Sequence, residues 1–404
     1  MRELKTNWMG LKLKNPLILA SLTLFSKVTI DEHYIFLKNA IKEGAAAVVL
    51  PSINPSKKTM NLTEETVVEA VPFNSGISSS KYIGFTVFGP PKSNIVASEY
   101  GTELLKKLVS ARKDEKIIAS IANIGSKKDF LYSVKEAELN GADGIELNFS
   151  CPNVITMNQE EGVTNLTLDI LKEIRNCTKL PISLKLSPNY DHTELLNCIS
   201  NEINGITISN AFLGLMPPNL ELECMSPFSQ IEYWCPTGVY GPQELMITYY
   251  NLYRYGKIAR SKGISISCVG GITTGEQAVQ SLLLGANTVQ FSSAIAWKGL
   301  KIFYHTIEFI NDFMAKNDFL SINDFYALAL KKIKSGADEI QNIKKKRIRT
   351  VDQSLCKHCS SCNCVNHLCL ALKQEKSIVT INPELCNGCG WCSVLCLNNA
   401  IKII

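Results

Sequence analysis

A chain of 404 residues can bury one large core and one smaller module, because single cores commonly stop growing near about 250 to 300 residues. Hydrophobic content of 46% against 20% charged residues is ordinary for a soluble globular protein, and a formal charge of +5 over this length does not suggest nucleic-acid binding. The opening MRELKTNWMG has no apolar signal region and no apolar run approaches the roughly 18 residues of a membrane span, so a cytoplasmic protein with no membrane partner is expected.

The first 300 residues repeat strand and then helix. Short apolar stretches occur at 16–21 (PLILAS), 46–50 (AAVVL), 117–121 (IIASI), 144–149 (GIELNF), 182–186 (ISLKL), 205–209 (GITIS), 265–269 (SISCV) and 287–292 (NTVQFS). Helical patterns such as TELLKKLVSARK, FLYSVKEAELNG, LTLDILKEIRNC and GEQAVQSLLLGA lie between them, several closed by the glycine expected at a helix end. Eight strands alternating with helices predict an α/β fold of the (β/α)8 TIM-barrel type; a doubly wound open sheet is the alternative.

In such a barrel, chemistry sits on the loops that follow the strands. Asn148 ends the fourth predicted strand and Cys151 starts its loop; Lys185, Asn210, Gly270 with Gly271, and Ser292 with Ser293 stand at the ends of the next four. Paired glycines between a strand and a helix let backbone N–H groups approach an anion. Followed one unit later by VQFSSAI, they predict a phosphate cradle and so a phosphorylated cofactor. Lys185 points a cation at the same mouth, where an anionic partner is expected; a lysine snorkelling at a strand end is the alternative.

Residues 311–350 read as a mostly charged helical linker ending in KKKRIRT, either a solvated face or a docking patch for an acidic electron-transfer partner. The tail beyond is a second domain. Six of the 15 cysteines are scattered before residue 350 and nine crowd into 356–396, which indicates metal and not a disulfide framework. The run CNGCGWCSVLC spaces Cys386, Cys389, Cys392 and Cys396 as an iron-sulfur motif whose fourth cysteine serves the other cluster in two-cluster ferredoxins. Upstream, Cys356, Cys359 and Cys362 repeat the spacing, but position 366 is asparagine, so Cys364 or Cys369 must complete the set. Two 4Fe-4S clusters are expected, Cys356, Cys359, Cys362 and Cys396 on one and Cys386, Cys389, Cys392 and Cys369 on the other. One normal and one altered cluster is the alternative. The domains are then 1–310 barrel, 311–350 linker and 351–404 ferredoxin-like.

The stretches LNFSCPN, KLSPN, ISN, VGGI and VQFSSAI resemble, in order and spacing, the FMN domain of dihydropyrimidine dehydrogenases and class 1 dihydroorotate dehydrogenases. With the cysteine-rich tail, the likeness is greatest to the catalytic subunit of the two-subunit bacterial dihydropyrimidine dehydrogenases. The resemblance implies FMN held by Ala20, Ser21, Lys185, Gly241, Gly270, Gly271, Ser293 and Ala294. It implies a pyrimidine held by Asn148, Asn153 and Asn210, with Cys151 as the acid or base at the ring carbon while hydride passes between flavin and ring. A thiol suits either role because its ordinary pKa, near 8.5, lies close to working pH.

Electrons would reach the flavin through the clusters. No strand-to-helix G-x-G-x-x-G loop is present, so a flavin or NAD(P)H reductase subunit, or a ferredoxin, is the expected donor. By resemblance the chain forms homodimers or hetero-oligomers. Pro51 stands where the family commonly has lysine, the second-strand substrate motif is not preserved in GFTVFGPPKSNIVASEYG, and Ala211 replaces the usual hydroxyl. Lost polar contacts weaken discrimination at a hydrogen-bonding site. The expected reaction is reversible reduction of the 5,6 double bond of uracil or thymine. Another conjugated cyclic amide, dihydroorotate oxidation, and electron relay without substrate chemistry are the alternatives.

Overall fold

The computed structural model describes residues 2–22, 28–54, 69–72, 85–88, 95–122, 126–149, 167–215, 218, 220, 236–334, 347–359, 361–362, 365, 368–375 and 378–403. They form two compact units, 1–332 and 333–404.

In the first unit eight strands close on themselves, every pair parallel. They are β1 (Leu17–Leu19), β2 (Ala47–Val49), β3 (Lys116–Ala122), β4 (Gly144–Asn148), β5 (Ile182–Leu186), β6 (Gly205–Ile208), β7 (Ser265–Cys268) and β8 (Thr288–Phe291). Each pairs with the next, and β8 pairs with β1 through Gln290 opposite Ile18. Around the ring lie α1 (Ile30–Lys42), α2 (Ser98–Ala111), α3 (Lys127–Leu139), α4 (Leu168–Cys177), α5 (Thr193–Cys198), α6 (Leu245–Ser261), α7 (Gly275–Leu283), the short α8 (Ile295–Lys298) and α9 (Ile302–Lys316). This is the TIM barrel expected from the eight strand-helix repeats. Helix starts are marked locally: Thr29 with Glu32, and Ser126 with Asp129, form capping boxes, and the Thr274 hydroxyl accepts from Gln277 N. Among the described residues no helix is long and apolar enough to cross a membrane.

The strands alternate strictly because both of their faces are buried but in different surroundings. Ile145 and Leu147, Ile182 and Leu184, Ile206 and Ile208, Ile266 and Cys268, and Val289 and Phe291 join the core shared with the helices. Residues of the other parity turn into the barrel, whose floor is closed by a hairpin of Thr6–Trp8 with Leu11–Leu13. Trp8 and Met9 are buried there, and a Cβ on Gly205 would come within 2.7 Å of Met9 Cγ, so the strand must start with glycine where the plug enters.

Above the plug the interior is polar. Glu146 on β4, wholly buried, lies 3.6 Å from Lys185 Nζ on β5; its Oε2 accepts from Thr207 Oγ1 at 2.8 Å and Gln290 Nε2 at 3.5 Å. Ser183 bonds Thr207, and Gln290 also donates to Ser267 at 3.0 Å. Two charges out of water survive only with such partners.

In the second unit Arg349–Val351 pairs with Ile401–Ile403, and Leu372–Glu375 with Ile378–Ile381, both antiparallel. A one-and-a-half-turn helix, Trp391–Leu395, follows a tight turn in which Gly388 has φ +80° and leaves no room for a side chain beside Arg347 O. The core is small and half thiol: Cys362, Cys392, Leu372, Val379 and Ile401 are buried, with Cys356, Cys369 and Cys396 packed against them.

Replacing Glu146 by glutamine removes the buried carboxylate that faces Lys185 inside the barrel. The denaturation midpoint of that variant should fall by the equivalent of about 3 to 5 kcal/mol, and Lys185→Met added to Glu146→Gln should restore most of it. Equal stability of wild type and Glu146→Gln would show that the pair carries no such weight.

Candidate active site

The strand ends open on one cavity, with about 620 Å3 of empty space that includes open solvent. Its walls come from the ends of seven of the eight strands and the segments that follow them, which is why residues far apart in the chain meet there. Ser21 follows β1, Ser52 follows β2, Asn148 ends β4, Lys185 is in β5, Ser209 to Ala211 follow β6, Val269 to Ile272 follow β7, and Ser292 to Ala294 follow β8.

One wall is an amide ladder. Asn210 Nδ2 donates to Asn148 Oδ1 at 3.0 Å, and Asn148 Nδ2 donates to Ser52 Oγ at 3.0 Å. Ser52 continues to Ser120 at 2.9 Å and Ser21 at 3.4 Å. The ladder sets which end of the Asn148 amide points where, since each carboxamide has one accepting and one donating end. Asn210 Oδ1 also accepts from Ala211 N.

The opposite wall is built of small residues. Gly270 and Gly271 have φ of +117° and +74°, and a Cβ on Gly271 would lie 2.4 Å from Leu245 N. Glycine is therefore required where this loop packs onto the start of α6. Ser292, Ser293 and Ala294 stand beside it on the next loop. Backbone N–H groups and small side chains facing a cavity are what a phosphate group requires, and this wall fits the phosphate of a flavin mononucleotide.

Among residues singled out from the sequence, Ser21, Asn148, Lys185, Asn210, Gly270, Gly271, Ser293 and Ala294 line this cavity. Ala20 is buried next to Ser21, its N–H donating to Phe291 O at 2.9 Å. Gly241 has φ +127° at the turn that precedes α6, between Tyr240 and Glu244, both of which line the cavity. Cys151 and Asn153 lie outside the described residues. Sequence reading passed over Ser52, Tyr240, Glu244 and Gln290, which also line the cavity, and Glu146 beneath it. Glu146 carried a signal, since it shares the inward parity of Asn148 two residues on. Ser52 and Glu244 carried none, because their places depend on how loops cross the mouth.

In the second unit Cys356, Cys359, Cys362 and Cys396 line one pocket of about 340 Å3. N–H groups point at its sulfurs: Ala400 N lies 3.2 Å from Cys396 Sγ, and Asn398 Nδ2 lies 3.6 Å from Cys359 Sγ. Burial raises the Cys362 pKa, and the neighbouring Cys396, Cys356 and Cys359 add to the effect. Cys392 is raised by burial and then by Cys369 and Cys386. The thiols thus fall into two neighbourhoods. Among the described residues no group of three His, Cys, Asp or Glu is placed to hold a metal ion. Cys364 lies outside the described residues.

Comparison with known proteins points the same way for the barrel. The catalytic subunit of dihydroorotate dehydrogenase B (NAD(+)) from Thermoplasma acidophilum is 27% identical over 315 residues, 78% of this chain and 94% of the relative. Its counterpart from Pyrococcus abyssi is 28% identical over 334 residues, 81% of this chain and 99% of the relative. The chloroplastic dihydropyrimidine dehydrogenase (NADP(+)) of Arabidopsis thaliana is 24% identical over 305 residues, 72% of this chain and 68% of the relative. The profile of the dihydroorotate dehydrogenase family matches residues 3–314, the barrel with its floor and outer helices, and the chain belongs to that family.

Proposed function

We propose that the chain is a flavin-dependent oxidoreductase that interconverts the CH–CH and C=C forms of an uncharged pyrimidine ring such as uracil or thymine. The observation that carries this is the mouth itself, an amide ladder facing a glycine and serine cradle. FMN, when bound, supplies the two-electron chemistry. The chain's own residues do the rest.

Asn148 and Asn210 offer amide donors and acceptors that match the edge of a cyclic imide, and Ser52 holds the Asn148 amide in its orientation. Lys185 would offer a cation to the negative charge of a reduced flavin, and Glu146 holds that cation in position. Gly270, Gly271, Ser293 and Ala294 take the phosphate, with Ala20, Ser21 and Gly241 completing the cofactor's surroundings. Cys151, three residues beyond Asn148, delivers or removes the proton at the ring carbon, and Asn153 adds a third amide. Cys356, Cys359, Cys362 and Cys396 hold one 4Fe-4S cluster, and Cys386, Cys389, Cys392 and Cys369 the other. Bound there, the clusters would supply one-electron transfer, for which a reductase subunit or ferredoxin would be the donor.

Dihydroorotate oxidation is the second reading, supported by the names of the two archaeal relatives. Charge favours the first. Lys185 is the one cationic side chain among the described residues lining the mouth, and it already faces Glu146. The carboxylate of orotate would need another.

Anaerobic reduction of the holoprotein, followed by addition of one candidate ring at a time, separates the two. Uracil or thymine should restore the oxidised flavin absorption band within seconds; recovery with orotate alone would establish the second reading. In the same assay Cys151→Ala should slow recovery by about a hundredfold to ten-thousandfold while flavin content is unchanged, and full-rate recovery would remove Cys151 from the chemistry. Anaerobically prepared protein should contain about eight irons and about eight labile sulfides per chain, the content of two 4Fe-4S clusters. Iron-free protein would end the electron-wire assignment.

A further inference from the structure

One side chain at the mouth is not accounted for. Glu244 begins the entry to α6, is 6% exposed, and lines the cavity. Its Oε1 is buried without a hydrogen-bond partner. Its Oε2 lies against the paired glycines, 3.2 Å from where a Cβ on Gly270 would stand, beside the Thr248 hydroxyl. A carboxyl group has thus been set into the wall where an anion is expected.

Counting charge sharpens the conflict. Lys185, the cation that acts on Glu244, is 3.6 Å from Glu146. The loop after β7 contributes Gly270, Gly271 and Ile272, and the loop after β8 contributes Ser292, Ser293 and Ala294, none of them charged. Cys268 on β7 is buried with its thiol pushed up to about 12, and burial raises the Tyr249 phenol of α6 well above its ordinary value, so both are neutral near pH 7. One lysine would therefore face two carboxylates and, on ligand binding, a phosphate as well. A buried carboxylate without a cation of its own is costly, and a second anion beside it more so.

We propose that Glu244 meets the phosphorylated cofactor as the neutral carboxylic acid, donating its O–H into the cavity, so that cofactor binding keeps one proton on the protein. This rests on the flavin reading of the mouth. A protonated carboxyl adds a donor to the cradle and removes the repulsion in one step. Burial raises the Glu244 pKa well above the ordinary carboxyl range, with Lys185 opposing it, which is the direction that retention of a proton requires. For an acid raised in the bound state the sign is fixed: affinity is fully present while the group is protonated in both states and is lost as pH rises past the free-state value.

The test is FMN binding to flavin-free protein, followed by flavin fluorescence from about pH 6 to about pH 9, for wild type and Glu244→Gln, with riboflavin in parallel. Titration of the FMN phosphate is common to both proteins and cancels in their ratio. At the alkaline end wild-type affinity should fall relative to the variant by up to about tenfold per pH unit, the slope of one linked proton. Riboflavin should show a smaller difference. Melting of the flavin-free proteins checks folding, and the variant should be relatively more stable as pH rises. Equal slopes for the two proteins, loss of FMN binding by a folded Glu244→Gln across the whole range, or an equal effect on riboflavin would each overturn the proposal. Failure of wild type to bind any flavin would overturn the cofactor reading along with it.

Discussion

The barrel depends on keeping a polar interior inside an apolar shell. Strands β4 to β8 place their aliphatic residues against the helices and polar residues inward, and the register brings the latter side by side: Glu146 is opposite Ser120 and Ser183, Lys185 opposite Thr207, and Thr207 opposite Ser267. The Lys185–Glu146 pair is the most demanding part, because both charges are out of water and each needs partners from other strands. Eight parallel strands around one axis supply them, and the Trp8 and Met9 plug keeps water from entering below. The mouth inherits this arrangement, since Asn148 and Lys185 stand one inward step above Glu146 and Ser183.

The site is accordingly rigid on one side and adaptable in charge on the other. Asn148, Asn210 and Ser52 are locked by mutual hydrogen bonds, so a ring that meets them encounters donors and acceptors already oriented. Such preorganisation favours a planar ligand with alternating donors and acceptors over one that brings its own charge. The facing wall has shape from Gly270 and Gly271 and a carboxyl group, Glu244, whose protonation alters the field across the cavity. Among the described residues, the amide ladder and Lys185 present the donors, acceptors and positive charge of the mouth.

The second unit follows a different logic. Its core is shared equally between cysteines and aliphatic residues. The family profile ends at residue 314, so the thiol-rich module is an addition to the barrel that relatives of barrel length lack.

The barrel was legible because its signal is periodic: short runs such as GIELN and ISLKL alternate with helical stretches, and each reports its own local environment. The residues at strand ends were legible for the same reason, since position at the end of a barrel strand already implies the mouth. The cysteine clusters could be read from spacing alone. Ser52 and Glu244 were not legible, because each sits in a loop whose course depends on what it packs against. Sequence alone thus determined the strand count, the placing of Asn148 and Lys185 at strand ends, and the crowding of thiols, all properties of neighbours along the chain. Only the tertiary structure decided that Ser52 orients Asn148 and that a buried carboxyl group faces the paired glycines. Those contacts join residues about a hundred and about twenty-five positions apart, and their energies depend on burial and direction that no local pattern encodes.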